Sequence, residues 1–291
     1  MKRKFLMAVL LICVVAVFVY GLVVPKFSLM AKIKTGILRR QIQREIAGAG
    51  SHDWAGEYYA GDGLGMNVNL LIAPEHGYVF EWHGCLGLYD RNYGSVTSTN
   101  GRLRLSFTFN NRQEGFEGIS GEFIPVHWGE RRYLVPTSDI VGFCNEVNDG
   151  SEPRDRIHGR YLMRRGDQTK SATSNAALPV EFQVYLLKQP VTAAIMQVGQ
   201  TTTRPDSSDF KIKDTTVMIN AGMQQGLHPG MKLYVTEPDF LVENVKLMNV
   251  TDGESEGFIT QFGGGDPAPQ VGWKLSTRAP WRTESNSTVA K

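Results

Sequence analysis

Hydrophobic and polar positions are arranged in three ways along the chain. From Phe5 to Val24 there is no polar interruption: FLMAVLLICVVAVFVYGLVV is a run of 20 uncharged residues. At about 1.5 Å per residue such a helix spans about 30 Å, the hydrocarbon thickness of a bilayer. The run exceeds the apolar region of a cleaved signal, and Gly21-Leu22-Val23-Val24-Pro25 gives no small-x-small site. It predicts an uncleaved transmembrane signal anchor behind the short tip Met1–Lys4. Next, Phe27, Met30, Ile33, Ile37, Leu38, Ile42 and Ile46 recur at helical spacing between basic residues. This predicts a basic amphipathic helix within 25–50. It would lie on anionic lipid, continue the membrane helix as a stalk, or dock on the folded domain.

From Asp53 the period falls to two. Met66, Val68, Leu70 and Ile72 share one face of a strand, Tyr78, Phe80 and Trp82 another, with Pro74, His76 and Gly77 as the turn between. Arg102–Phe109 alternates most regularly, and Asn100-Gly101 before it is a strong hairpin signal. Ile140, Phe143, Cys144 and Val147 switch back to helical spacing, with Thr137 or Ser138 as cap and Asn148-Asp149-Gly150 as stop. A strand at Arg160–Met163 closes the first domain, and GDQTKSATSNAA (166–177) reads as a linker. Seven short strands follow: Val184–Leu187, Ala194–Val198, Thr216–Ile219, Leu233–Val235, Val245–Val250, Phe258–Phe262 and Trp273–Leu275. The tail from Thr283 is polar.

The expected fold is therefore mostly β. An N-terminal transmembrane helix and a basic helix precede two small antiparallel β domains. The first (51–165) is a meander or barrel with one helix at about 138–148. After a linker (166–180), the second (181–282) is a small barrel or sandwich, followed by the tail (283–291).

Composition sharpens this picture. The 31 glycines suit turn-rich β structure. Residues 1–50 hold nine basic residues and one acidic one, leaving 22 basic and 28 acidic residues in 51–291. An acidic globular part argues against nucleic-acid binding. Six basic residues after the span and three before it weigh slightly against an external C-terminus. Cys85 and Cys144 weigh the other way, because two cysteines outside the span read as a disulfide in an oxidising compartment.

In the stretch TVMINAGMQQGLHPGMKLYV (216–235), Gly222, Gly226 and Gly230 fall every four residues between two strands, and Val271–Leu275 looks like a closing strand. This pattern, over about 215–277, resembles the small β-barrel modules of bacterial envelope assembly proteins. These are the C-terminal domain of the flagellar assembly protein T family and the barrels of the rod-shape-determining protein C family. The resemblance implies a scaffold or assembly module without a catalytic centre. The early Gly56-Glu57-Tyr58-Tyr59 and the alternating strands resemble lipocalin-like barrels, which implies a holder of a small apolar ligand. A hydrolase is a third reading. The expected location is the bacterial inner membrane, single-pass through Phe5–Val24, with the globular part in the periplasm among other envelope proteins.

Candidate chemistry is sparse. His83 and Cys85 share a strand face, but no orienting third residue is evident. His52, His76, His83, His127, His158 and His228 show no zinc spacing. Gly61-Asp62-Gly63-Leu64-Gly65 runs into a strand rather than the helix a dinucleotide loop requires. Glu152, Asp155, Glu254 and Glu256 lie in turn-like stretches. Catalytic residues, cofactors and metals are therefore not expected. Trp128, Arg131, Arg132, Tyr133 and Arg154 are the expected partner-binding surface, because Trp, Tyr and Arg dominate binding hot spots.

Overall fold

The structure is a computed structural model that describes residues 25–48, 50, 52–151, 161–171, 176–205, 211–239, 243–262 and 267–280. The expected span at Phe5–Val24, Arg154 and the tail from Thr283 lie outside them. Among the described residues no helix is long and apolar enough to cross a membrane. The chain forms two compact units, 1–137 with 154–177, and 138–153 with 178–291.

The first unit begins with helix α1 (Leu29–Gly48). Strands β1 (Gly56–Gly61), β2 (Met66–Ala73), β3 (Gly77–Gly84) and β4 (Gly87–Gly94) follow as a meander. Next come β5 (Val96–Thr99), β6 (Arg102–Leu105), β7 (Glu122–Trp128), β8 (Arg131–Pro136) and β9 (Leu162–Arg164). They pair in the order β4-β3-β2-β1-β9-β8-β7-β6-β5. Since β5 follows β4 after Ser95, the two ends of this path are joined by the chain, giving a nearly closed barrel. Asn100 and Gly101 both take positive φ, as a two-residue hairpin turn between β5 and β6 demands.

The period-two pattern fixes which side chains enter the barrel. Tyr58, Leu70, Ile72, Tyr78, Phe80, Leu103, Phe123, Leu134 and Leu162 fill its interior. These side chains make the barrel interior a packed core. Leu71, Ala73, Val79 and Tyr93 point outward and are covered by Leu38, Ile42 and Ile46 of α1. The α1 helix is thus the docking helix of the folded domain. Its apolar residues divide between two faces, with Met30, Ile33 and Ile37 left exposed.

The regular strand expected over Arg102–Phe109 stops at Leu105. The Asn92 side chain intervenes: its Oδ1 accepts hydrogen bonds from the Thr108 and Phe109 N–H groups, and its Nδ2 donates to Phe109 O. Residues 106–109 thereby cross to β4, where Ser106 N donates to Ser95 O and Thr108 N to Tyr93 O. Described parts of the expected linker are also structured. Asp167 is buried, and Ala176–Ala177 forms β10 against β7.

In the second unit β11 (Thr192–Pro205), β12 (Lys211–Ile219), β13 (Lys232–Glu237), β14 (Asn244–Val250), β15 (Ser255–Phe262) and β16 (Lys274–Ser276) close a barrel in the order β11-β12-β15-β14-β13-β16. The strand expected at Val184–Leu187 is instead part of a 3₁₀ turn, Val180–Tyr185. A Cβ on Gly222 would sit 2.2 Å from Thr251 O, so the connection after β12 admits only glycine there. Helix α2 (Ile140–Asn148), expected in the first domain, belongs to this unit. Asn145 donates to Gly230 O and accepts from Lys232 N, and Tyr234 Oη donates to Asp149. Asp139 is the N-cap residue rather than Thr137 or Ser138.

Candidate functional site

Several basic side chains gather at one mouth of the first barrel. Leu134 and Leu162 pair across β8 and β9 and both enter the core. Two residues toward the barrel end, on the same inward face, stand Arg132 and Arg164. Tyr133 pairs with Met163, so these two arginines face each other one step beyond that pair. Like charges directly opposite on neighbouring strands repel. Arg132 Nη1 donates to the carbonyl of His52 at 2.8 Å. No carboxylate of the described residues lies within ion-pair distance of either guanidinium.

The loop after β9 completes the site. Gly50, Arg132, Arg164, Arg165, Gly166, Asp167 and Lys170 line an open cavity of about 380 Å³. Asp167 is buried and shapes it: its carboxylate accepts from the Arg132 N–H at 3.0 Å and pairs with Lys170 Nζ at 2.5 Å. Arg131 Nε donates to the Lys170 carbonyl at 2.6 Å, tying the loop to the start of β8. Arg165 is held by Glu57 at 2.6 Å and stacks 4.8 Å over the Tyr59 ring. Among the described residues, Arg165 and Lys170 are thus paired with Glu57 and Asp167, while Arg132 and Arg164 have no such ion pair. Beneath them Tyr58 donates to Trp54 O. Burial pushes its phenol well above the ordinary 10, while the charges of Arg164 and Arg132 act in the opposite sense.

The expected partner surface is corrected by this geometry. Among its described residues, Trp128, Arg131 and Tyr133 are buried, and Arg132 reaches the open cavity. The hot-spot composition marks a hairpin on which Trp128, Arg131 and Tyr133 share the buried outer face, opposite to Arg132 and Leu134. Arg164, Asp167 and Lys170 were missed because they sit at a strand end and in a stretch read as linker. A usable signal was the recurrence of Arg-Arg, at 131–132 and 164–165, at one end of two successive strands.

The expected Cys85–Cys144 disulfide is overturned: both are free thiols. Cys85 lies exposed in the β3–β4 turn, and Cys144 is fully buried on α2, where burial pushes its thiol up to about 12. A buried core sulfur cannot pair with an exposed turn thiol without opening its unit. Cys85 Sγ contacts Leu64 O at 3.7 Å.

Glu45, Glu75 and His76 place three potential ligand atoms within 4.8 Å of one another. Their hydrogen bonds describe a clamp: Glu45 accepts from the N–H groups of Glu75 at 2.8 Å and His76 at 3.0 Å, and pairs with His76 Nδ1 at 2.8 Å. This fastens the end of α1 to the β2–β3 turn.

No protein family, characterised relative or solved structure matches this chain.

Proposed function

We propose that the chain is a membrane-tethered binding module of a bacterial envelope, held by Phe5–Val24, that recognises an oxyanion group in the Arg132–Arg164–Lys170 cavity. The carrying observation is the facing pair Arg132 and Arg164, two arginines lining one open cavity with no carboxylate partner among the described residues. A phosphoryl or carboxylate group between them replaces repulsion with charge-assisted, bidentate hydrogen bonds. The packed interior of the first barrel supports recognition at a mouth over storage of an apolar ligand. The envelope resemblance of residues 215–277 supports an assembly role without chemistry of its own. Because both thiols are free, cysteine pairing does not place the globular part on the oxidising side, and the inner-membrane, periplasmic assignment rests on that resemblance.

Titration of the full chain with inorganic phosphate tests the site. Arg164→Gln should weaken binding about tenfold or more, the scale of one charge-assisted contact. Arg165→Gln should change it little, because Glu57 already neutralises that group. Equal losses in both variants, or none in either, would remove the assignment.

A further inference from the structure

The first unit has two unlike ends. Strands β1 to β4 alternate in direction, so the β1–β2 turn (62–65) and the β3–β4 turn (85–86) fall at the same rim. Phe116 joins them, its ring 5.9 Å from Trp82 and 5.2 Å from Tyr89. At this rim Leu64 is 81% exposed, Leu86 90% and Phe116 56%. Single exposed apolar residues are ordinary, but a cluster marks a contact surface. In the first unit the other exposed large apolar residues among those described are Leu29, Met30, Ile33 and Ile37, all in the first half of α1. The opposite rim carries the Pro74–Gly77 turn, the clamp on Glu45 and the arginine cavity.

The chain enters the unit at the apolar rim. Lys26, two residues after the uncharged run, is buried, with its Nζ 2.8 Å from Asp90 and 3.4 Å from Glu117. Asp90 faces Trp82 near the β3–β4 turn and accepts from the Gly118 N–H at 2.6 Å. These bonds hold Lys26 against Glu117, the residue after Phe116. From there α1 leads away to the opposite rim.

We propose that the rim carrying Leu64, Leu86 and Phe116 seats in the interfacial zone of the lipid bilayer, with the arginine cavity facing away from it. The inference rests on the tether reading above. Three apolar tips bind a bilayer weakly alone, but a tether at the same rim makes their insertion effectively intramolecular. Asp62 and Glu114 flank the tips, so the contact is apolar and not an attraction to anionic lipid. The helix α1 stands along the barrel, and its role is to fasten the unit.

Cys85 supplies the probe, being exposed at this rim while Cys144 is buried. The full-length Cys13→Ser chain, labelled at Cys85 with an environment-sensitive fluorophore, is reconstituted in phosphatidylcholine vesicles brominated on the acyl chain. A second chain carries the label at Glu75→Cys on the opposite rim, with Cys85→Ser. The expected result is several-fold stronger quenching at Cys85 than at position 75, unchanged by added phosphatidylglycerol and reduced by Leu64→Ser with Leu86→Ser. Equal quenching at the two rims, with the chain still floating with the vesicles, overturns the seating while leaving the tether intact. A chain that does not float overturns the tether itself. Energy transfer between labelled copies that rises with protein density, without lipid quenching, assigns the rim to a second copy instead.

Discussion

Asn92 is the residue on which the seam of the first barrel depends. It is wholly buried, and its amide satisfies two N–H groups and one carbonyl of a segment that no regular strand ladder reaches. Removing it takes away the partners of the Phe109 N–H and carbonyl, while the Thr108 N–H keeps Tyr93 O. Asn92→Ala should therefore cost about 2–4 kcal/mol, read as a lower urea midpoint of the first unit. Glu45 gives a pH signature. Burial raises its carboxyl, but hydrogen bonds from Glu75 and His76 outweigh this and hold it below the ordinary 4.5. A carboxyl depressed in the folded state contributes stability that is complete above 4.5 and is lost as pH falls through the lower folded value. Amides around α1 and the β2–β3 turn should exchange faster as pH falls below that range, after correction for intrinsic rates. Glu45→Gln should lack that acid-dependent increment. Neither contact was readable from sequence, since Asn92 and Phe109 lie 17 residues apart and Glu45 and His76 lie 31 apart.

Elements were legible where one face is buried and a turn residue fixes the register. The strands holding Leu70 and Phe80, and the Asn100-Gly101 hairpin, formed as the period-two pattern required. The pattern failed where a side chain captured backbone groups, as at Thr108 and Phe109, and where Val184 and Tyr185 entered a 3₁₀ turn. For α2 the periodicity gave the helix but not its partner. Asn145 and Asp149 decide that partner, because they bond to β13 and the turn before it. Asn145→Ala removes its bonds to Gly230 O and Lys232 N–H, and should destabilise the second unit by about 1–3 kcal/mol. Hydrogen exchange at Lys232 and its neighbours would register the loss ahead of the first unit. For α1, hydrophobic spacing marked a helix while concealing that Ile42 faces the barrel and Ile33 does not.

Across the whole molecule, composition and patterning revealed a β-rich chain with an apolar head, and the closed six-strand barrel lay within the range they allowed. The charged site was hidden because it is assembled from β8, β9 and a loop that resembles a linker in composition. The Arg-Arg pairs acquire meaning only when the strands stand side by side. Under the function proposed above, Arg132 and Arg164 together hold an oxyanion. The most direct test is nuclear magnetic resonance of the full-length chain in nanodiscs, labelled with ¹⁵N in arginine side chains and titrated with inorganic phosphate. The Nε–Hε signals of Arg132 and Arg164 should shift together and saturate, while those of Arg165 and Arg102, already paired with Glu57 and Glu122, stay in place. Small, uniform, non-saturating shifts across all arginines would contradict the claim.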